Sequence, residues 1–486
     1  METTVQHAFI ERINLVQENG EIKPEEIPHK IAVQRSAPKT GILFVGWGGN
    51  NGATLTAGIL ANKANLSWKT RTGSKKANFF GSLTQTVTVK VGVKLDKEKK
   101  KVEDVFRPVR DIVPLVEPTE LVIGGWDISA MNLYDACYRA QVLEPTLVDQ
   151  LQDELSQMVP MKAVFNPDYV AANQSDRVNN VFTGTNEECV EKVRKDIRDF
   201  KSANNLDQIV VLWTANTEKN FKTEVPTAEA LERMLAQNVP LPASVLYGVA
   251  SLKEGCVYLN GSPQNTVSEG LIELAALNNA FIGGSDFKTG QTKFKSLMSD
   301  FFVGSGLRLS SVMSYNHLGN NDGKNLNEPE TFRSKEISKA GVLDDAVESN
   351  PILYPSDNKG IDHTIVIKYC PFVGDSKRAM DEYTSEIFMN GLFTFVSHAT
   401  CEDSLLAAPI MLDMILLAEY FTRVKIDGES LGPVLSYLSF FFKAPVTNHP
   451  EYVFNSFTRQ KETLVNFLKA TAGIPIEDST LIGVKF

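Results

Sequence analysis

Several lysines in this chain keep company that a solvated surface lysine does not. "TFRSKEISK" sets Lys335 and Lys339 four residues apart, on one face if the segment is helical. Like charges at that spacing repel, so the pair either turns into solvent or shares an anion. "IVIKYCPFVGDSK" ends an apolar run with Lys368, Asp375 and Lys377, "CEDSLLA" supplies Asp403, and "FFKAP" sets Lys443 among apolar residues. A lone lysine is ordinarily a surface residue. Several that converge with carboxylates repel and desolvate one another, which brings lysine into the range of a working base.

A chemistry of that kind needs an anion to hold, and "GILFVGWGGNNGATLTAGILANK" offers a cradle for one. Ile42 to Val45 read as a strand covered on both faces, and Ala53, Ala57, Leu60 and Ala64 recur at helical spacing. Gly46-x-Gly48-x-x-x-Gly52 is one residue longer than the usual dinucleotide fingerprint, and Asn50 and Asn51 add amide donors. A glycine turn opening a helix lets backbone N–H groups approach a pyrophosphate. A merely structural turn has the same outline, and the indole of Trp47 fits neither reading unless it walls the bound group.

The acid that should hold a ribose about twenty residues on is absent from "NLSWKTRTGSKKAN". Either the ligand carries a 2′-phosphate or the carboxylate comes from elsewhere; Asp127, closing "LVIGGWDIS", is the candidate. Residues 209–218, 245–251, 257–265 and 280–293 each read as an apolar strand entering a small polar loop, as the strands around a ligand crevice do. After the last of them Phe294, Leu297, Met298, Phe301 and Phe302 predict a core-facing helix starting near Thr292. Thr289, Gly290, Gln291 and Thr292 then form a second anion seat at its N-terminus, or a plain cap.

Composition narrows the setting. The 486 residues carry a net charge of −10, yet no Asp or Glu occurs from Ile27 to Leu95, where ten Lys and Arg do. Such a segment either protects an anion site or is a basic surface patch with no ligand, and it lacks the aromatic interleaving of a nucleic-acid groove. Five scattered cysteines without a CxxC pair, and six histidines in no ligand spacing, argue for a reducing compartment and against a metal site. The N-terminus has no apolar signal core. Residues 404–421 are the most apolar run, but Pro409, Asp413 and Glu419 make a buried core helix the expectation rather than a membrane span.

The longer motifs complete the picture. "GWGGNNGATLTAG", "NFFGSLTQ", "GGWDIS", "LWTANTE", "NGSPQNT", "DFKTGQTK", "SYNHLGNNDG", "FRSKEISK", "GDSKRAMDEY" and "CEDSLLA" together closely resemble the eukaryotic inositol-3-phosphate synthase (myo-inositol-1-phosphate synthase) family, from about residue 38 to the C-terminus. The resemblance implies conversion of D-glucose 6-phosphate to 1D-myo-inositol 3-phosphate. NAD-dependent oxidation at carbon 5 is followed by enolisation, aldol ring closure and re-reduction. It places NAD on Gly46, Gly48, Gly49, Asn50 and Asn51, with Asp127 on the ribose and Gln174, Arg177, Thr214, Ala215 and Gly261 along the groove. It places the substrate phosphate on Thr289, Gly290, Gln291, Thr292 and Lys339. Lys335, Lys377 and Lys443 become the proton-shuttling and oxyanion-stabilising lysines, Lys335 for the carbon 5 redox steps. Asp286, Asn320, Asp322 and Asp403 become their partners, and no metal is called for.

The implied fold is α/β: a Rossmann-type NAD-binding domain with an inserted α+β catalytic and tetramerisation domain. Residues 1–40 form an N-terminal segment, 41–290 the NAD-binding domain, 291–407 the catalytic domain and 408–486 a segment returning to the first. A cytoplasmic homotetramer, without nucleic-acid or membrane partners, is expected. Ser285 departs from the family's "GGDDFK", which alters local charge and cation preference while Asp286 is kept. Two further readings use the same cradle: an NAD-dependent phosphosugar dehydrogenase that releases NADH, and a catalytically silent NAD-binding regulator.

Overall fold

The computed structural model describes residues 4–96, 98–356, 360–448 and 453–476; parts of the expected N-terminal and C-terminal segments, residues 1–3, 449–452 and 477–486, lie outside them. The first sheet has six parallel strands in the order Phe281–Gly283, Val257–Asn260, Gln208–Trp213, Thr40–Val45, Val122–Asp127, Met161–Lys162. Thr40–Val45 is buried at every position, as an interior parallel strand must be. The chain leaves it to one side through Val122–Asp127 and later returns to the other through Gln208–Trp213. That reversal of strand order opens a crevice beyond the carboxyl ends, between the first strand and its Gln208–Trp213 neighbour. This is the expected Rossmann-type α/β fold. One of the expected strand-to-loop units is different: residues 245–251 lie inside the helix Ala243–Lys253, all of them buried. A short apolar run buried on every side has no periodicity to tell helix from strand.

The inserted α+β part holds the second sheet, in the order Asp362–Tyr369, Arg308–Leu318, Ser376–Glu386, Leu392–Glu402. Its first pair is parallel and the others antiparallel. "SYNHL" belongs to the strand Arg308–Leu318, so the turn begins only at Gly319. A third sheet joins the N-terminal hairpin, Thr4–Val16 with Ile22–Gln34, to Val424–Ile426, so the N-terminal segment is paired with the segment that follows the helix Asp403–Thr422.

The helix Asp403–Thr422 is the one helix among the described residues long and apolar enough to cross a membrane, and 78% of its most apolar window is buried in protein. It packs on the helix Asn50–Lys63. Its Asp413 accepts from Ser82 Oγ, the Leu83 and Thr84 N–H groups and Thr84 Oγ1, at 2.6 to 2.8 Å. "NFFGSLTQ" is thereby pinned to the helix by a carboxylate whose every near neighbour is a donor.

Candidate active site

The glycine turn is dictated by close approach. Gly46 has φ +86°, and a Cβ there would lie 2.7 Å from Ala215 Cα; at Gly52 it would lie 2.5 Å from the Trp47 carbonyl oxygen. Gly49 opens the helix Asn50–Lys63, and no side chain caps its first turn. Those N–H groups are free for an anion. Trp47 does not wall the crevice: it is 5% exposed, packed in the core, and donates Nε1–H to Thr56 Oγ1 at 3.0 Å. The indole anchors the turn to its own helix from behind.

Asp127 ends the strand Val122–Asp127 beside Gly48, where a Cβ would come within 3.3 Å of Asp127 Oδ2. Burial pushes its carboxyl above the usual range, against the Ser129 N–H, Arg177 and Arg139. Arg139 also donates to the Gly48 carbonyl. Gly46, Gly49, Asn50, Asn51, Asp127, Gln174 and Arg177 line the cleft. Thr214, Ala215 and Gly261 continue the same wall. Gly48 is not among the lining residues; it packs against Asp127, which is. These features suit a dinucleotide: a side-chain-free turn, an uncapped helix start, and a buried acid with two arginines near it.

The far wall comes from the second sheet and its flanking helices. Asn216 Nδ2 and Asn321 Nδ2 both donate to Gln174 Oε1, at 2.7 and 2.8 Å. Asp322 accepts from the Thr217 N–H at 3.0 Å, and Asn320 caps the helix Asn321–Asn325 by accepting from the Gly323 N–H at 2.9 Å. "LWTANTE" and "SYNHLGNNDG" are thus stitched together across the cleft. Asp375 does the same for the glycine turn: it accepts from Asn50 Nδ2 at 3.4 Å and from the Ser404 N–H at 2.8 Å.

Between the walls lie the charged groups. Asp286, 1% exposed, accepts from Lys335 Nζ at 2.9 Å on Oδ1, and from Lys443 Nζ at 3.1 Å and Ser338 Oγ at 2.9 Å on Oδ2. Lys377 donates to Asp403 at 3.3 Å. One carboxylate cannot balance two ammonium groups equally. Burial alone would depress Lys335, but Asp286, Asp322 and Asp403 outweigh it and hold the lysine above its ordinary value. For Lys443 burial prevails over Asp286, and repulsion from Lys335 and Lys377 helps bring it to about 7. Lys339 is depressed further, by burial and then by Lys377, Lys443, Lys295 and Lys335. Lys335 is therefore held charged beside a lysine that burial brings toward neutrality.

Thr289 lines the cleft and opens the helix Gly290–Gly304. Gly290, Gln291 and Thr292 follow it in the first turn; the Gln291 and Thr292 side chains do not line the cleft, and what the three offer is the backbone N–H groups of the helix start. The expected apolar core face of this helix holds only in part: Phe302 is buried and Met298 packs against the core, whereas Phe294, Leu297 and Phe301 are 36, 42 and 51% exposed and Thr292, Lys295, Ser296 and Ser299 are buried. Periodicity shows which residues share a face, not which way the face turns. Lys368 is exposed, away from the cleft, and none of the ten basic residues between Ile27 and Leu95 lines it. That acid-free stretch contributes glycine backbone, and the cations come from distant segments. Ser285 is buried beside Ala444, to whose carbonyl its Oγ donates at 3.4 Å.

Two buried groups were not legible beforehand. Glu218, on the cleft wall, accepts from the Ala243 and Ser244 N–H groups at the start of the helix Ala243–Lys253, and burial raises it to about 7. Lys288 donates to the Asn455 carbonyl at 2.7 Å and Gln460 Oε1 at 3.0 Å, and burial lowers it to about 7. "TANTE" carried the first signal, but only a known helix start at 243 would have exposed it. Among the described residues no cluster of His, Cys, Asp or Glu is arranged to hold a metal ion.

Residues 40–469 match the family described as Myo-inositol-1-phosphate synthase. Inositol-3-phosphate synthase 1 of Oryza sativa subsp. japonica is 50% identical, with 96% of this chain and 92% of that protein covered. The Bos taurus inositol-3-phosphate synthase 1 is 49% identical over 99% and 87%. The chain belongs to the myo-inositol-1-phosphate synthase family. A solved inositol-3-phosphate synthase of Caenorhabditis elegans superposes with a TM-score of 0.95 at 46% identity, covering 98% of this chain and 95% of that one. In this synthase family member the cofactor of the glycine cradle is NAD, and the side-chain-free turn beside Asp127 fits it.

Proposed function

We propose that one cleft runs the complete cycle on the lysines gathered around Asp286. The chain is an NAD-dependent isomerase that converts D-glucose 6-phosphate to 1D-myo-inositol 3-phosphate by oxidation, cyclisation and reduction. NAD bound at the cradle supplies a hydride acceptor at the start and a hydride donor at the end. Gly46, Gly49, Asn50, Asn51 and Asp127 would hold it, with Gln174, Arg177, Thr214, Ala215 and Gly261 lining the rest of the groove. Lys443, the lysine near neutrality, takes the proton of the carbon 5 hydroxyl. Lys335 stays charged and faces the oxygen that becomes a ketone, whose electron withdrawal acidifies carbon 6. Lys377, paired with Asp403, serves the carbon 1 oxygen during ring closure. Asn320 and Asp322 hold the nicotinamide side of the cleft together. Thr289 and Lys339, with the backbone of Gly290, Gln291 and Thr292, seat the phosphate.

The single observation that carries this reading is the grip of Lys335 and Lys443 on the two oxygens of Asp286. One carboxylate keeps one lysine charged and leaves the other as a base. The test is incubation with glucose 6-phosphate and substoichiometric NAD. Inositol phosphate in excess of the NAD supplied, without accumulating NADH, is expected. NADH rising with an oxidised sugar would make the chain a dehydrogenase, and neither signal would make it a silent binder.

Residues 41–290, 291–407 and 408–486, after the 1–40 segment, are proposed as the functional units. The second sheet, drawn from 308–402, supports this division. The assembly is proposed as a homotetramer, because Phe294, Leu297 and Phe301 and the outer strand residues Leu392 and Val396 leave exposed apolar surface. Free cysteines at all five positions suit a cytoplasmic setting, and a net charge of −10 disfavours nucleic acid.

A further inference from the structure

The buried face of the helix Gly290–Gly304 carries a charge that the reaction does not use. Lys295 is 3% exposed; its Nζ donates to Ser314 Oγ at 2.6 Å and to His363 Nε2 at 2.8 Å. Burial and then Lys295 itself bring His363 to about 3, so the ring is a neutral acceptor. Burial brings Lys295 to about 8 against the pull of Asp381. A buried lysine bonded only to neutral acceptors is costly, and the carboxylate of Asp381 is what offsets it.

Asp381 is 2% exposed and spends its oxygens elsewhere. Oδ1 accepts from Gln291 Nε2 at 2.8 Å, and Oδ2 from the Tyr383 hydroxyl at 3.4 Å. Gln291 Oε1 is buried without a hydrogen-bond partner among the described residues. The bond to Asp381 is therefore what orients this side chain, in the first turn of the helix. An acid this close to an anion seat repels the anion unless its charge is matched, and Lys295, one turn further along the helix, matches it.

We infer that Asp381 is a positioning residue for sugar-phosphate recognition: through Gln291 it fixes the first-turn N–H groups of the Gly290–Gly304 helix, and Lys295 balances its charge. The inference rests on the reading of residues 289–292 as the phosphate seat. A first turn fixed in advance spends no binding energy on ordering when the phosphate arrives. The effect belongs in KM, with the chemistry at Asp286 left alone.

The experiment compares Asp381→Ala, Asp381→Asn and Gln291→Leu in the full chain, measuring kcat, KM for glucose 6-phosphate and NAD affinity by fluorescence. Asp381→Ala and Gln291→Leu are expected to raise KM about tenfold, the scale of a lost buried hydrogen bond, with kcat changed much less. Asp381→Asn keeps an acceptor for Gln291. Paired with Lys295→Met, which removes the matching charge, it is expected to restore KM toward the parent. NAD affinity reports folding at the other sheet and should not move. If Asp381→Ala does not fold, Gln291→Leu tests the same bond from its other end. An unchanged KM, or a fall in kcat alone, overturns the inference. Lys339→Met is the control: if it too leaves KM unchanged, the phosphate seat itself is misplaced, whereas a raised KM there alone refutes only the role of Asp381.

Discussion

Lys443 Nζ lies 3.1 Å from Asp286 Oδ2, and the two are both buried although 157 residues separate them in the chain. Lys335 holds the other oxygen, so Lys443 is the member of the trio that burial can strip of its proton, and it falls to about 7. A base with that value is inactive below it. kcat should therefore climb as pH rises through about 7 and level off above. Lys443→Met should abolish the climb and lower kcat by roughly 10²- to 10⁴-fold, the range for losing a general base. A kcat that is flat from pH 6 to 8 in the parent would remove Lys443 from that role.

Lys339 poses a different question, because burial and four neighbouring lysines, Lys377, Lys443, Lys295 and Lys335, depress it. A phosphate dianion arriving beside it reverses the balance and draws a proton on. Substrate binding should thus take up protons near neutral pH, and inorganic phosphate should do the same more weakly. Titration calorimetry in two buffers of different ionisation enthalpy reads this directly. Lys339→Met is expected to make the heats agree. Buffer-independent heats in the parent would mean that Lys339 is already charged.

Asp127, proposed for the ribose, closes the strand Val122–Asp127, far along the chain from the helix Asn50–Lys63 that the glycine turn opens. Asp127→Ala should weaken NAD by about tenfold or more, by removing a buried acceptor. It should also narrow the gap between NAD and its 2′-phosphorylated analogue, because the repelling charge is gone. Equilibrium dialysis with both cofactors tests this; an equal loss for the two would show that Asp127 only buttresses Gly48.

What could be read from the residues alone was whatever is local. The strand, glycine turn and helix at 40–63 follow from composition and spacing, and so does the meeting of Lys335 and Lys339 on one helix face. The lysine motifs gave the chemistry its candidates, yet their pairing with Asp286 is a tertiary fact. No pattern in "FFKAP" tells that Lys443 faces a carboxylate from "GGSDFK". The same gap explains Trp47, whose partner Thr56 is nine residues away on the next helical turns. Lys368 shows the converse: an apolar neighbourhood in sequence became an outward-facing strand position. The Gly290–Gly304 helix is the sharpest case, since its polar face is buried by partners from 314, 363 and 381 that no window around it contains.

The outward apolar face of that helix leads to the last expectation. Leu297 and Phe301 lie four apart, 42 and 51% exposed, while the opposite face of the same helix is tied to the second sheet. Leaving two such side chains about half in water forgoes on the order of 1 kcal/mol apiece relative to full burial. In the proposed homo-oligomer a second copy of the chain would remove this cost. Leu297→Asp with Phe301→Asp should therefore split the assembly, as read by light scattering, and lower substrate affinity with it. The link is physical: Thr289 and Gln291 sit at the start of the same helix, so loosening its outer face loosens the phosphate seat. Dissociation with substrate affinity intact would separate assembly from the site, and an undisturbed mass would place the interface on another face.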